Sequence, residues 1–459
     1  MDESTRRRCS VLLYDALNHL GYSSYRIKHR SKFVSRIFQP KNNGMSHLNT
    51  IFAGSFGEGI SKIFSSDVDV MISLCDIMCV DVTSHENQPS GLTFQNEYSN
   101  TFPGYVRIQT DCDVSESILR TSRSIDTGKH YLNNQLTLQE FQMSGLPPGM
   151  INGPALTANW SLEWLPEFAS KTLFERPVEG DMVLALPFFS ATLLEKWLSR
   201  TRYHEWPSRR LQRKISQMVG YVVPVGHKFS THKDIEWRIS YTTAEKKLVL
   251  SMNDVQVKVY VVMKHIQKDR LKSVCKNFSS YMVKNLVFWS LEMTPTGDFT
   301  PETLVDRILS AFCYLKQCLE NKFLPCYMIP ERNLLHGRID ERECIILLRE
   351  VENIINEGYE FLLKNHKLSL SMQLTHSYPE IARDYAQWLV EIEDFYLLLM
   401  ERENALSGQD VLRHDDDAIF VRLVELLDLD FLNVLLMAER NGVNEVLDLL
   451  LTRLADALS

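Results

Sequence analysis

At 459 residues the chain has room for roughly two to four domains, and its 44% hydrophobic content is enough for a sizeable core. No stretch approaches the ~18 consecutive apolar residues of a membrane span, and residues 1–13 lack the long apolar run of a secretory signal. The net charge of −8 argues against nucleic-acid binding by the chain as a whole, but residues 375–459 carry 18 acidic and 6 basic residues, net −12, which leaves +4 on residues 1–374.

Residues 10–36 read as helix with a basic end made of Arg26, Lys28, Arg30, Lys32 and Arg36. Such a run is either a solvated face or a ridge that contacts phosphates. A polar connection over residues 37–50 leads into residues 51–72, IFAGSFGEGISKIFSSDVDVMI, around which the chain is organised. Val68, Val70 and Ile72 alternate with Asp67, Asp69 and Met71, a strand period. Asp67 and Asp69 therefore project from one face. Two adjacent carboxylates repel, and a divalent cation relieves that repulsion; Mg²⁺ favours a few carboxylates together with phosphate oxygens. Upstream, Gly54-Ser55 can open a helix whose free N–H groups face an anion. The same pieces taken singly are a common turn and a solvated Asp-x-Asp. No Gly-Lys-Ser/Thr follows, so this is not a Walker loop.

Residues 83–165 offer the weakest signals, and irregular structure is expected over residues 125–160. Residues 177–189, PVEGDMVLALPFF, read as a buried strand opened by Asp181. Asp181 is either a turn residue or a third metal ligand, since a two-metal phosphoryl-transfer site needs more oxygens than two aspartates supply. A basic, aromatic segment follows, with Lys196, Trp197, Arg200, Arg202, Trp206, Arg209, Arg210, Arg213 and Lys214. Pro207 suits the first turn of a helix. Residues 222–226 read as a short strand ending in a turn, and Glu236-Trp237-Arg238-Ile239-Ser240 leads into a helix containing Glu245. Lys264 lies on a helix with Tyr260 and His265, and Ser280-Tyr281 begins another that runs to about Glu292. Residues 257–363 are helical in pattern, with a cap at Thr300-Pro301-Glu302. Residues 375–459 are amphipathic helix, broken at Ser407-Gly408 and again at 413–417. Nine cysteines without CxxC or paired Cys/His spacing imply reduced thiols in a cytoplasmic or nuclear setting and give no support for zinc.

In this order the motifs Gly54-Ser55, Asp67-Val68-Asp69, Asp181 before Val-Leu-Ala-Leu, Trp206-Pro207-Ser208, Val223-Pro224-Val225-Gly226, Glu236-Trp237-Arg238-Ile239-Ser240, Ala244-Glu245, Lys264 and Ser280-Tyr281-Met282-Val283-Lys284 resemble the male-abnormal (Mab) nucleotidyltransferase-fold family. Within that family the chain is most similar to the cyclic GMP-AMP synthase-like receptors, over roughly residues 10–360. The resemblance implies an α+β, bilobal nucleotidyltransferase fold. A twisted mixed sheet with helices would form an N-terminal lobe (1–255), followed by a helical C-terminal lobe (256–365) and an acidic helical extension (366–459).

The resemblance also implies an enzyme of innate immune signalling that makes a cGAMP-like cyclic dinucleotide from ATP and GTP once a ligand activates it. Asp67, Asp69 and Asp181 would be the catalytic metal ligands for Mg²⁺ or Mn²⁺. Gly54 and Ser55 would bind triphosphate, and Lys264 and Ser280 would contact phosphate. Tyr281 would stack on a base, Arg238 and Ser240 would read a purine edge, and Glu245 would lie behind or against the base. Relatives with a zinc thumb for DNA carry a His/Cys insertion; residues 246–263 hold no His or Cys, so no zinc is expected. Double-stranded RNA is the favoured activator, through residues 26–36 and 200–214, and the C-terminal helices are left for a protein partner or for docking on the basic ridge. The alternative is a catalytically inactive scaffold or developmental regulator on the same fold.

Overall fold

The structure is a computed structural model, and it describes residues 3–37, 48–61, 67–81, 92–110, 120–124, 128–143, 150–152, 155–160, 178–406 and 422. Two helices lead, α1 (Glu3–His19) and α2 (Ser24–Ile37). The single helix expected over residues 10–36 is divided at Gly21, whose φ of +77° is a left-handed conformation that glycine adopts without strain. The Gly21 carbonyl accepts a hydrogen bond from Nη2 of Arg30 at 2.8 Å, so the bend is tied back onto α2.

Then come β1 (Leu48–Phe52), the short turn α3 (Gly54–Gly57), β2 (Asp67–Leu74), β3 (Ile77–Asp81), β4 (Leu92–Glu97), β5 (Tyr105–Thr110), β6 (Ser122–Ser124) and β7 (His130–Leu132). The chain continues through α4 (Asn134–Met143), β8 (Met150–Asn152), β9 (Ala155–Trp160) and β10 (Val178–Phe189). Among the described residues of 125–160, these elements replace the irregular structure expected there. Its polar residues cap and pair instead: Asn133 accepts from the N–H groups of Gln135 and Leu136, and Asn134 donates to the carbonyls of Lys233 and Glu236.

β10 is the axis of the sheet. Its first part runs parallel to β2 and antiparallel to β9, and its last residues pair with β11 and with β3. The described strands follow the order β1-β2-β10-β11-β12-β5-β4-β3. The connection from β10 holds α5 (Ala191–Ser199) and α6 (Arg209–Ile215), followed by β11 (Gly220–Val223) and β12 (Glu236–Ser240). Ser208, not Pro207, marks the start of α6: its hydroxyl accepts from the N–H of Leu211. Residues 224–226 leave the strand, because Val225 N–H bonds back to the carbonyl of Val223.

The sheet alternates as a strand period demands. Val68, Val70 and Ile72 of β2 and Met182 and Leu184 of β10 face one layer with Val34, Leu138 and Phe141. Met71 and Ala185 face the other way, with Tyr221 and Val223. Asp69 and Asp181 have the same parity as Met71 and Ala185.

Helices complete the fold: α7 (Thr242–Leu250), α8 (Asp254–Ile266), α9 (Ser280–Glu292), α10 (Leu304–Glu320), α11 (Glu341–Glu357), α12 (His366–Ser377) and α13 (Pro379–Leu406). α8 is buried almost all round, as a helix apolar on every face must be. Its buried Lys258 is tolerated because its ammonium pairs with Asp254 and lies 4.2 Å from the ring centroid of Tyr14. Asn253 and Gln256 form a capping box at its start, as do Asp340 and Glu343 at α11. The cap expected at Thr300 forms a short 3₁₀ turn that enters α10.

α12 and α13 pack against α1, and α13 also meets α2. Ile381, Tyr385, Trp388, Ile392 and Tyr396 of α13 belong to the same core as Leu13 and Leu17 of α1, so packing continues across residue 365 without a break. The breaks expected at 407–408 and 413–417 lie outside the described residues. No helix among the described residues is long and apolar enough to cross a membrane.

Candidate active site

Asp69 and Asp181 are paired Cα to Cα on the neighbouring parallel strands β2 and β10. Both line a cavity of about 500 Å³, a volume in the range of small-ligand sites. Asp67 lies two residues before Asp69 on β2, opposite Glu179; its side chain is outside the described residues.

The cavity wall nearest Asp69 is made by α3. Gly54 has φ +57°, and a Cβ there would fall 1.8 Å from Oδ2 of Asp69. Only a glycine allows the carboxylate to lie against the turn. The turn is held by the N–H of Ala53 donating to the carbonyl of Asp69 at 2.9 Å, and by Ile60 and Ser61 N–H groups donating to the Ser55 carbonyl. Facing this wall, Lys264 of α8 donates to Oγ of Ser55. Its pKa is lowered to about 8 by burial, against the opposing pull of Glu58. A half-buried ammonium of this kind gains most from an incoming anion. Ser280, exposed at the start of α9, closes the same cavity.

Sequence reasoning assigned no role to Lys268 and Lys272, which also line the cavity. Their spacing is the signal: Lys264, Lys268 and Lys272 recur every four residues, a cationic face on one side of a helix. Tyr22 and His265 line it as well, with rings edge to face at 6.0 Å.

Beneath this wall lies a buried charged chain. The Lys284 ammonium sits 2.8 Å from Glu58 on one side and 2.8 Å from Glu245 on the other. Tyr260 donates to Glu58 at 3.3 Å, and Tyr281 donates to Glu245 at 2.9 Å. Burial disfavours the Lys284 ammonium, but Glu245 and Glu58 outweigh it and hold its pKa well above the usual lysine value. Glu245, which sequence reasoning placed behind or against the base, is thus held by Lys284 and Tyr281. Glu58 is a carboxylate that sequence reasoning missed: in the Gly-punctuated run it looks like an ordinary loop acid.

Arg238 and Ser240 stand apart from the cavity on β12. Ser240 shares a hydrogen bond with Thr242 at 2.7 Å. Burial, followed by the neighbouring Arg332, lowers the pKa of Arg238 to about 10.

The basic residues divide into two sets. Arg26 and Arg30 are buried, and both pair with Glu393 of α13; Arg26 also pairs with Asp394 at 2.9 Å, and Arg36 pairs with Glu401. Arg200 and Arg202 pair with Glu292, and Arg200 lies 4.3 Å from the Trp289 ring centroid. Lys28, Lys32, Arg209, Arg210, Arg213 and Lys214 remain exposed.

Residues 256–353, from α8 into α11, match the family model described as the Mab-21 protein HhH/H2TH-like domain. This match supports Mab-21 family membership, in a nucleotidyltransferase-like superfamily. The mixed helix and sheet content fits the α+β class. Lys264, Ser280, Tyr281 and Lys284 all fall inside the matched Mab-21 region, whereas Gly54, Ser55, Asp67, Asp69 and Asp181 lie on the strands and turn before it.

Proposed function

We propose that the chain is a nucleotidyltransferase that makes a cGAMP-like cyclic dinucleotide from ATP and GTP in innate immune signalling, under the control of an activating ligand. The observation that supports this most is the in-register pair Asp69 and Asp181 lining one cavity together with Ser55 and Lys264. Acidic and basic groups on one cavity suit a substrate with a polyphosphate chain.

The donor set fits Mg²⁺ or Mn²⁺. Asp69 and Asp181 are hard oxygen donors at one level of the sheet, and Gly54 leaves the space beside Asp69 that a Cβ would fill. Asp67, two residues before Asp69 on β2, joins them as a ligand in this reading. When bound, the ions supply charge neutralisation at the transferring phosphoryl group. Lys264 and Ser55 bind the triphosphate oxygens and orient the chain for in-line transfer. Lys268 and Lys272 extend the same cationic wall. Tyr281 presents its ring to a base while Glu245 holds its hydroxyl, and Arg238 and Ser240 read the purine edge from β12.

Double-stranded RNA is the proposed activator, because it is recognised through shape and backbone and the exposed Lys28, Lys32 and α6 cations suit backbone contacts. The test is incubation of purified protein with all four nucleoside triphosphates and Mg²⁺ or Mn²⁺, with and without duplex RNA or DNA, and product analysis by mass spectrometry. A cyclic dinucleotide that disappears in Asp69→Asn supports the reading. Absence of any product under every condition favours the inactive scaffold.

A further inference from the structure

A second cavity, of about 80 Å³, lies between β5, the residues before β12 and the segment preceding α11. Its polar lining comes from Arg332, Arg338, His227, His336, Asn333 and Glu331. Arg332 is only 8% exposed. Among the described residues its guanidinium has no carboxylate partner; it lies 5.6 Å from the Tyr105 ring centroid. Burial disfavours the guanidinium, but its surroundings, Glu245 among them, outweigh that and raise its pKa, and the sequence is shaped to hold it. Gly104, at φ +84°, leaves room for the side chain: a Cβ there would fall 2.4 Å from Cδ of Arg332. Arg338 is exposed, likewise has no carboxylate partner among the described residues, and lies close enough to act electrostatically on Arg238, as Arg332 does.

The imidazole of His227 completes the set. It stacks on Phe102 at 3.7 Å and on His336 at 5.0 Å between centroids. Its Nδ1 accepts the N–H of Phe229 at 3.3 Å, so the ring proton of the neutral form is on Nε2. Burial, with His336 and Arg332 adding to it, lowers its pKa to about 4, so it is neutral at physiological pH. The acid groups nearby are occupied. Glu331 lines the rim but is exposed and pairs with Lys196 at 3.7 Å, and Glu245 is held by Lys284 and Tyr281.

We infer that this cavity is a phosphoryl-binding site, distinct from the cavity of Asp69 and Asp181, in which Arg332 and Arg338 grip one phosphate group and His227 donates from Nε2. The volume suits a single oxyanion; a whole nucleotide needs several hundred Å³. A third cavity, of about 440 Å³, shares Asn333, His336 and Arg338 with it and leaves room for the organic part of a phosphate monoester. Among its charged neighbours Arg332 lowers the pKa of Arg238 most, so occupancy here bears directly on β12.

The experiment is a titration of the whole protein with inorganic phosphate and, in a second arm, glucose 6-phosphate, followed through the histidine ring resonances and the melting temperature. Saturable shifts of His227 and His336, kept in Lys264→Gln and weakened at least tenfold in Arg338→Gln, are expected. Tighter binding of the sugar phosphate assigns the site to monoesters, and equal binding assigns it to the free anion. Arg332→Gln removes the buried cation, so the phosphate-dependent increase in melting temperature is lost. Unmoved histidine signals, or equal affinity in Arg338→Gln and the parent, overturn the assignment. So does an intact phosphate response in Arg332→Gln.

Discussion

Asp69 and Asp181 stand on the same rung of two parallel strands, paired Cα to Cα, with both side chains on one cavity. That relationship places Asp181 inside a strand rather than in a turn, as the proposed ligand role requires. Asp181 is the fourth residue of β10, well inside the strand that it was expected to open. Asp181→Asn keeps the shape and removes a charge. Turnover is expected to fall by about a hundredfold or more, the scale for losing charge stabilisation at a phosphoryl centre. Stability without metal should hold or rise as carboxylate repulsion is relieved. Mass spectrometry of products and thermal melts in chelator check both; unchanged turnover removes Asp181 from the site.

Gly54→Ala probes the same wall from the other side. The added methyl meets Oδ2 of Asp69 at 1.8 Å in a left-handed backbone. A strained conformation of this kind costs roughly 1–3 kcal/mol, and Asp69 must move. The expected result is loss of Mn²⁺ binding by calorimetry with the fold retained by circular dichroism. Wild-type Mn²⁺ affinity in this variant counts against Asp69 as a ligand.

Lys284→Met tests whether Glu245 belongs to the scaffold. It leaves Glu58 and Glu245 buried without their shared counter-charge, and breaking such a set typically costs about 3–5 kcal/mol. Denaturant melts should show that loss. Adding Glu58→Gln and Glu245→Gln should recover part of it, because the uncompensated charges are gone; no recovery argues against the network.

These cases show what the sequence makes legible. The β2 alternation, β10, α8 with Lys264 and α9 from Ser280 are readable because period and caps are local properties. Glu58, Glu245 and Lys284 are not readable as a set, since residues far apart in sequence meet only when α3, α7 and α9 pack. Arg26 and Arg30 mislead for the same reason. A run of alternating cations reads as a solvated ridge, and only the arrival of Glu393, some 360 residues later, turns two of them inward.

Glu393 supplies a pH prediction. Its carboxylate is 4% exposed. Burial alone pushes a carboxyl up, but Arg30 and Arg26 outweigh it and hold the pKa below its usual value near 4.5. The folded pKa lies below the unfolded one, so the stabilisation is fully present above about pH 4.5 and is lost as pH falls through the folded value. Glu393→Gln should be destabilised by about 3–5 kcal/mol at pH 7. The gap from the parent should shrink in acid. Denaturant midpoints across a pH series measure it, and a gap that stays constant down to pH 3 contradicts the assignment.

The same helix sharpens the RNA prediction. Removing residues after 366 would strip α12 and α13 from the core they share with α1, so a fall in RNA binding there would report unfolding. Point variants are cleaner. α13 engages Arg26, Arg30 and Arg36 and leaves Lys28 and Lys32 exposed on α2. α7 bridges this face to α6: Lys246 donates to Ser35 at 2.8 Å, and Lys247 feels Lys214. If duplex RNA lies across this face, Lys28→Gln with Lys32→Gln, and separately Arg210→Gln with Lys214→Gln, should each flatten the slope of log affinity against log salt by about 1.5–2. Glu401→Gln releases Arg36 and should tighten binding at low salt, with the gain fading as screening sets in. Filter binding across a salt series reads all three. Parallel slopes in every variant would place RNA elsewhere, and an unchanged Glu401→Gln would leave α13 a structural helix with no hold on the basic face.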